Sequence, residues 1–366
     1  MMAHEGGPGG HGGWGSAPGQ GGWGTGAWGP GGWGGYGHGG WTPPPPRPGT
    51  IPLAPLDFGQ LLGGGFRTFT RYWRPLTAVV VTAYGALMAA GAAAVAIGYA
   101  AVHGHVKTLT SLDGAPAAAS DVHAVVTWAV VLGILGLMAL VIAQTVVLAA
   151  CAVTVQDGAL GRATTYRAVL GRSLRRLGPA LGASAVSWLL GLVPVALSTA
   201  VGLANGAFTS HIRPDPAPIL ICYLVLLAGS ALMLWPGLRI VLAPTVAVVE
   251  SCGTRAALRR SWALVGGAWW RTLGAMLVAA CVAGFAAGFV NVVLEVLGIV
   301  GAAGAFAASD GSGAAVVLPI VLIPVSVALI LVECVIMLYP QLVLAVVYVD
   351  RRMRTENLAE VLIRSV

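Results

Sequence analysis

Residues 124–155 read AVVTWAVVLGILGLMALVIAQTVVLAACAVTV, thirty-two positions without an acid, a base or a histidine. At 1.5 Å per residue about 20 residues cross a ~30 Å hydrocarbon core, so this stretch is long enough to span a membrane. Lipid offers no partner to an open backbone group, and the span must therefore be helical. Five further apolar runs, at 76–102, 179–203, 219–249, 272–300 and 314–349, meet the same criterion. The expected fold is an all-α polytopic membrane protein with six transmembrane helices over residues 51–366. Composition agrees: 57% of the chain is apolar and 9% charged, against roughly 25% charged in an average soluble domain. Cys151, Cys222, Cys252, Cys281 and Cys334 stand singly, with no Cys-x-x-Cys, so neither a disulfide framework nor a zinc site follows.

Immediately after the quoted span the chain turns basic, with Arg162, Arg167, Arg172, Arg175 and Arg176. Sorting Lys and Arg by alternate loops puts seventeen on one side and only Lys107 and Arg213 on the other, with Arg239 inside a span. By the positive-inside rule, both termini are expected in the cytoplasm of a multi-pass cell-membrane protein. The same asymmetry accounts for the net charge of +7 without nucleic acid as a partner. The N-terminus lacks a charged stretch followed by a short apolar core and cleavage site, which predicts that the first span is retained.

The basic segments carry a second signal. Phe58, Leu62, Phe66, Phe69 and Trp73 recur at helical spacing before the first span; Tyr166, Val169, Leu170, Leu174 and Leu177 do so before the third; Leu258, Trp262 and Val265 before the fifth. Arginines take the intervening positions, the pattern of helices lying in the headgroup plane. The entries echo one another, Trp73-Arg74-Pro75-Leu76 against Trp270-Arg271-Thr272-Leu273, and so do the exits, Met233-Leu234-Trp235-Pro236 against Met337-Leu338-Tyr339-Pro340. An acid ends every even span: Asp157, Glu250 and Asp350. Together these predict three repeats, each an amphipathic helix followed by a transmembrane hairpin, with a period of roughly one hundred residues.

Ile51-Pro52-Leu53 with Phe58-Gly59-Gln60-Leu61-Leu62, then Glu250 with Ala257-Leu258-Arg259-Arg260-Ser261-Trp262, then Tyr348-Val349-Asp350-Arg351-Arg352-Met353-Arg354-Thr355-Glu356 together resemble a family. It is that of actinobacterial integral membrane proteins of unknown function related to the membrane domain of glycerophosphodiester phosphodiesterases. The resemblance covers about residues 51–366 and implies a six-helix membrane protein without an assigned reaction. The enzymes' separate catalytic barrel has no counterpart in this chain.

Three classes of residue are candidates for function. Arg167, Arg172, Arg175, Arg176, Arg255, Arg259, Arg260 and Arg271 lie on or beside the second and third amphipathic stretches and are candidates for lipid-headgroup contact. Near an anionic leaflet each is worth about 1 kcal/mol, and a guanidinium forks onto phosphate as an ammonium does not. Arg239, Glu295 and Glu333 interrupt apolar spans, where an ionisable group is a functional hypothesis by default. Counting inward from the outer ends, Arg239 and Glu333 fall at similar depths and are expected to pair, with Glu295 near the outer interface. The acids Asp157 and Glu250 are expected to cap the helices that follow, with contacts to Arg162 or Arg255 as the alternative. His103, His105, Asp121 and His123 share an outer loop, read as solvated rather than as a metal site.

Residues 1–50 hold Trp14, Trp23, Trp28, Trp33 and Trp41 among glycines and end near a run of four prolines. Such a tract buries too little to offset ordering entropy and is expected to be a disordered tail. No phosphate loop, His-Glu-x-x-His or Gly-x-Ser-x-Gly occurs, so no enzymatic reaction and no cofactor is expected. The sequence therefore predicts an accessory or scaffolding membrane protein in contact with anionic phospholipid and an unknown protein partner. The alternative is a transporter or channel for a small or lipidic solute using the Arg239–Glu333 site.

Overall fold

A computed structural model describes residues 49, 55–110, 119–205, 216–308 and 314–356. The Gly/Trp-rich tail, Gly49 excepted, lies outside the described residues. Ten helices follow in order: α1 Phe58–Thr110, α2 Ala119–Ala159, α3 Tyr166–Arg175, α4 Leu177–Ala204, α5 Pro216–Ile240, α6 Ala243–Val249, α7 Thr254–Gly266, α8 Trp269–Ala308, α9 Ala314–Ile336 and α10 Leu338–Glu356. Among the described residues six stretches are long and apolar enough to cross a membrane, and the protein is a six-span membrane protein built as three amphipathic-helix-plus-hairpin repeats.

The first repeat begins at a well-specified stop. Asp57 Oδ1 accepts the Gln60 N–H at 2.6 Å while Gln60 Oε1 accepts the Asp57 N–H at 3.2 Å, a reciprocal capping box. Leu56 and Leu61, the two positions of a hydrophobic staple around that cap, are both buried. The amphipathic stretch and the first span then run on as one helix, α1, bent at Tyr72 (φ −116°, ψ 23°). Pro75 explains the bend, since it has no N–H for the Arg71 carbonyl and its ring crowds that oxygen. The second and third amphipathic helices, α3 and α7, are separate from their spans.

Proline also sets the breaks in the fourth and sixth spans. The span 216–249 is divided between α5 and α6, and the last span between α9 and α10. α5 ends at Ile240, four residues before Pro244, and α9 ends at Ile336, four residues before Pro340. In each case the missing N–H is the one that would have bonded the last residue of the helix. The Met-Leu-aromatic-Pro echo therefore does not mark equivalent breaks, because the decisive prolines are Pro244 in one span and Pro340 in the other.

The three hairpins are α1–α2, α4–α5 and α8–α9, each held by helix contact along its length. Each is also tied by polar contacts: Tyr84 donates to Gln144, Ser198 Oγ donates to the Cys222 carbonyl at 2.8 Å, and Asn291 donates to Glu333. At the Arg-rich end α2, α6 and α10 pack on one another, and their inner residues Ala143–Val155, Leu242–Val248 and Leu338–Tyr348 supply most of the core. Burial is concentrated there; toward the opposite face the spans are largely exposed to the lipid. Gly65 permits a close approach in this core, since a Cβ on it would sit 2.7 Å from Val343 Cγ2 and 3.3 Å from the Val343 nitrogen. Gly284 and Gly288, four residues apart on α8, face open space instead.

Candidate functional site

The three acids at the ends of the even spans do not cap helices. Each grips the element that begins the next repeat. Asp157, 5% exposed, receives a two-point contact from Arg172 on α3, Nη1 donating to Oδ1 at 3.0 Å and Nη2 to Oδ2. That hydrogen bond raises the Arg172 pKa above its ordinary value. Glu250 accepts Arg260 Nε of α7 at 3.3 Å and the Tyr348 hydroxyl of α10 at 2.9 Å, with Arg352 Nε 3.8 Å away. Asp350, 1% exposed, accepts the Leu56 N–H at 2.9 Å and Arg354 Nε at 3.0 Å, with Arg271 Nη2 at 3.5 Å. Arg271 and Arg354 in turn donate to the Leu56 carbonyl.

The third acid thus holds the entry to the first helix, and the repeats close into a ring. The alternative contacts, with the Arg162 and Arg255 side chains, are not made either: Arg162 offers its N–H to the Asp157 carbonyl and its own carbonyl to the Tyr72 hydroxyl. The amphipathic helices double back over the preceding hairpin, so the partner arginine lies ten to fifteen residues away rather than five.

This geometry divides the eight headgroup candidates. Arg172, Arg260 and Arg271 are occupied by carboxylates. Arg167, Arg175, Arg176, Arg255 and Arg259 are exposed, and no ion pair joins any of them to an acid among the described residues. Arg67, Arg71 and Arg74 on α1 are exposed in the same way. Trp73, Trp262 and Trp270 are exposed at this end, where an amphipathic ring suits the membrane–water boundary.

The intramembrane candidates are also separated. The Arg239 guanidinium lies against two indoles, 4.9 Å from the Trp235 centroid and 5.2 Å from that of Trp262, and the rings themselves meet edge to face at 5.4 Å. Its carbonyl accepts Ser261 Oγ at 2.8 Å. Glu333 is tied to Asn291, so the expected Arg239–Glu333 pair does not form. Counting residues from the outer ends ignored the bends and the aromatic partners; the Trp235-x-x-x-Arg239 spacing, one turn apart on a helix, was the usable signal. Glu295 is exposed on α8, 24 residues beyond Arg271, or about 36 Å along the helix, which places it past a 30 Å core. The histidines expected in an outer loop lie on helices instead, His103 and His105 on α1 and His123 on α2; His105 Nδ1 pairs with Asp121 Oδ1 at 2.6 Å across the first hairpin, and no metal-binding group of three ligands occurs among the described residues.

These separate partners make a testable statement. In a thermal-unfolding double-mutant cycle, Arg239→Leu and Glu333→Gln should be additive within about 0.5 kcal/mol. Glu333→Gln and Asn291→Leu should couple by about 0.5–2 kcal/mol, the range for interhelical polar contacts in membranes. Coupling in the first cycle of the size expected for the second would contradict the arrangement.

The acids also set the register of the repeats. Ile142, Trp235 and Val335 each stand fifteen residues before the acid, and Val146, Arg239 and Tyr339 each eleven before it. Each set borders the space between a hairpin and the amphipathic helix of the next repeat. In the first repeat that space is an apolar groove of about 350 Å³, roofed by Tyr166, Leu170 and Leu174 of α3. In the third it is a groove of about 450 Å³, roofed by Leu62, Phe66 and Phe69 of α1. In the second, the Trp235–Arg239–Trp262 stack occupies the corresponding place. Comparison with protein-family models, curated proteins and solved structures finds no match to this chain.

Proposed function

We propose that this protein is a non-catalytic accessory or scaffolding protein of the cell membrane, with both termini in the cytoplasm and its Arg-rich end in contact with anionic phospholipid. The observation that carries the reading is the division of the arginines. Three are consumed in holding the ring together, while Arg167, Arg175, Arg176, Arg255 and Arg259 remain exposed on two amphipathic helices beside boundary tryptophans. Guanidinium groups so placed meet lipid phosphates in two-point contacts and draw on the negative potential of the cytoplasmic leaflet.

The transport reading rested on a shared site at Arg239 and Glu333. Those side chains have separate partners, and the reading lacks its supporting pair.

Lipid selectivity tests the proposal. In nanodiscs, spin-labelled phosphatidylglycerol should be enriched around the protein over spin-labelled phosphatidylcholine, and the enrichment should fall with added salt. Replacing the five exposed arginines by Gln should remove most of it, each charge contributing about 1 kcal/mol at most. Equal partition of the two lipids around the unaltered protein would refute the reading.

A further inference from the structure

The three repeats share one architectural niche, and the chain fills only one of them. In the second repeat the space between the α4–α5 hairpin and the roofing helix α7 is plugged by Trp235, Arg239 and Trp262. At the corresponding positions before the acid, the first repeat has Ile142 and Val146 and the third has Val335 and Tyr339, and there the niche stays open as a groove of about 350 and 450 Å³ respectively. Volumes of this size are those of pockets that hold small molecules.

The walls of both grooves are apolar, and they open at the boundary where the amphipathic helices lie. Charge stands at the rim of the third-repeat groove, and on the helix stripe next to the roof of the first. A Cβ on Gly63, which lines the third-repeat groove, would be 3.4 Å from Arg67 Nη2, so that guanidinium lies over the groove wall. In the first repeat Arg167 and Arg175 follow the roofing residues Tyr166 and Leu174 on α3. Arg67, Arg167 and Arg175 are exposed and pair with no acid among the described residues.

An apolar slot with an unneutralised guanidinium at its rim is complementary to one molecular form, an acyl chain joined to an anionic headgroup. We infer that the protein holds two anionic phospholipids, one acyl chain in each groove and the phosphate at the roof arginines, and that the Trp235–Arg239–Trp262 plug denies the third position to lipid. The inference rests on the anionic-lipid reading above and adds to it the number, place and binding mode of the lipids.

Native mass spectrometry of the delipidated full chain, titrated with dioleoyl-phosphatidylglycerol in detergent, tests it. The unaltered protein should retain two tightly held lipids. Ala86→Trp, which fills the first-repeat groove, should remove one; Ala286→Trp, which fills the other, should remove one; both together should remove both. Arg239→Ala with Trp262→Ala should open the plugged niche and add a third, an expectation independent of whether the Trp variants fold. Arg67→Gln and Arg167→Gln should each weaken one retained lipid about fivefold.

A tight count other than two, a count unmoved by both Trp substitutions, or no third lipid in the opened variant overturns the inference. A dimer mass in place of lipid adducts overturns it in favour of a second copy as the occupant. Two adducts formed equally well by dioleoyl-phosphatidylcholine, and lost on groove filling, leave the seats standing and remove the anionic reading instead.

Discussion

Asp350→Ala should destabilise the protein by about 3–5 kcal/mol, the cost of removing one partner from a buried charged pair. The carboxylate is 1% exposed and serves three donors at once: the Leu56 N–H, Arg354 and, at 3.5 Å, Arg271. Its removal leaves two guanidinium groups facing each other without an anion between them and a backbone N–H without an acceptor. Thermal unfolding in detergent reads the stability. Limited trypsin digestion reads the local effect, since loss of the clasp should free the chain ahead of α1 and speed cleavage at Arg67 and Arg71. Asp350→Asn supplies a control, because an amide oxygen still accepts from Leu56 and only the charge is lost. It should fall between the unaltered protein and the alanine variant. Wild-type melting and digestion of Asp350→Ala would show that the clasp holds nothing.

The second large effect is one of sign. Gly within a helix costs about 1 kcal/mol relative to Ala, so propensity alone predicts that Gly65→Ala stabilises α1. The structure predicts the reverse. A Cβ there would meet Val343 Cγ2 at 2.7 Å and the Val343 backbone at 3.3 Å, and overpacking costs typically 1–3 kcal/mol. Gly65→Leu should be worse than Gly65→Ala, and Val343→Ala should rescue the alanine variant in part, since it removes the nearest atom but not the backbone. Gly171 on α3 has nothing within 4 Å of its would-be Cβ, and Gly171→Ala should therefore stabilise by up to about 1 kcal/mol. If both glycines respond alike in thermal melts, the close approach of α1 and α10 is wrong.

Local patterns carried most of the architecture. The spans followed from apolar length, and the roofing helices from arginines alternating with Tyr166, Leu170 and Leu174 or with Leu258 and Trp262. Contacts were legible only where they obey helical spacing. Asp57 and Gln60 form a capping box that the sequence displays at its standard spacing, and Trp235 with Arg239 is a one-turn pair. Asp157 with Arg172, Glu250 with Arg260 and Asp350 with Leu56 were not legible, because a turn or the whole chain intervenes before the partner returns. The Arg239–Glu333 expectation failed for a related reason. Depth was counted along spans that proline divides, and two aromatic side chains offered the guanidinium a nearer partner. The Met-Leu-aromatic-Pro echo likewise compared identical letters where the acids, fifteen residues beyond Ile142, Trp235 and Val335, gave the register that the packing obeys.

Leu56 and the carboxylate that secures it are separated by 294 positions. At a synthesis rate of about 5–20 residues per second, that interval lasts roughly 15–60 s. For all of it the first amphipathic segment has been made but its fastener has not, so the growing polypeptide must be inserted with its opening helix undocked and the ring closed only once residue 350 has been made. A nascent chain stalled before residue 350 should therefore expose that helix to a protease added from the ribosome side, whereas release of the finished chain should protect it.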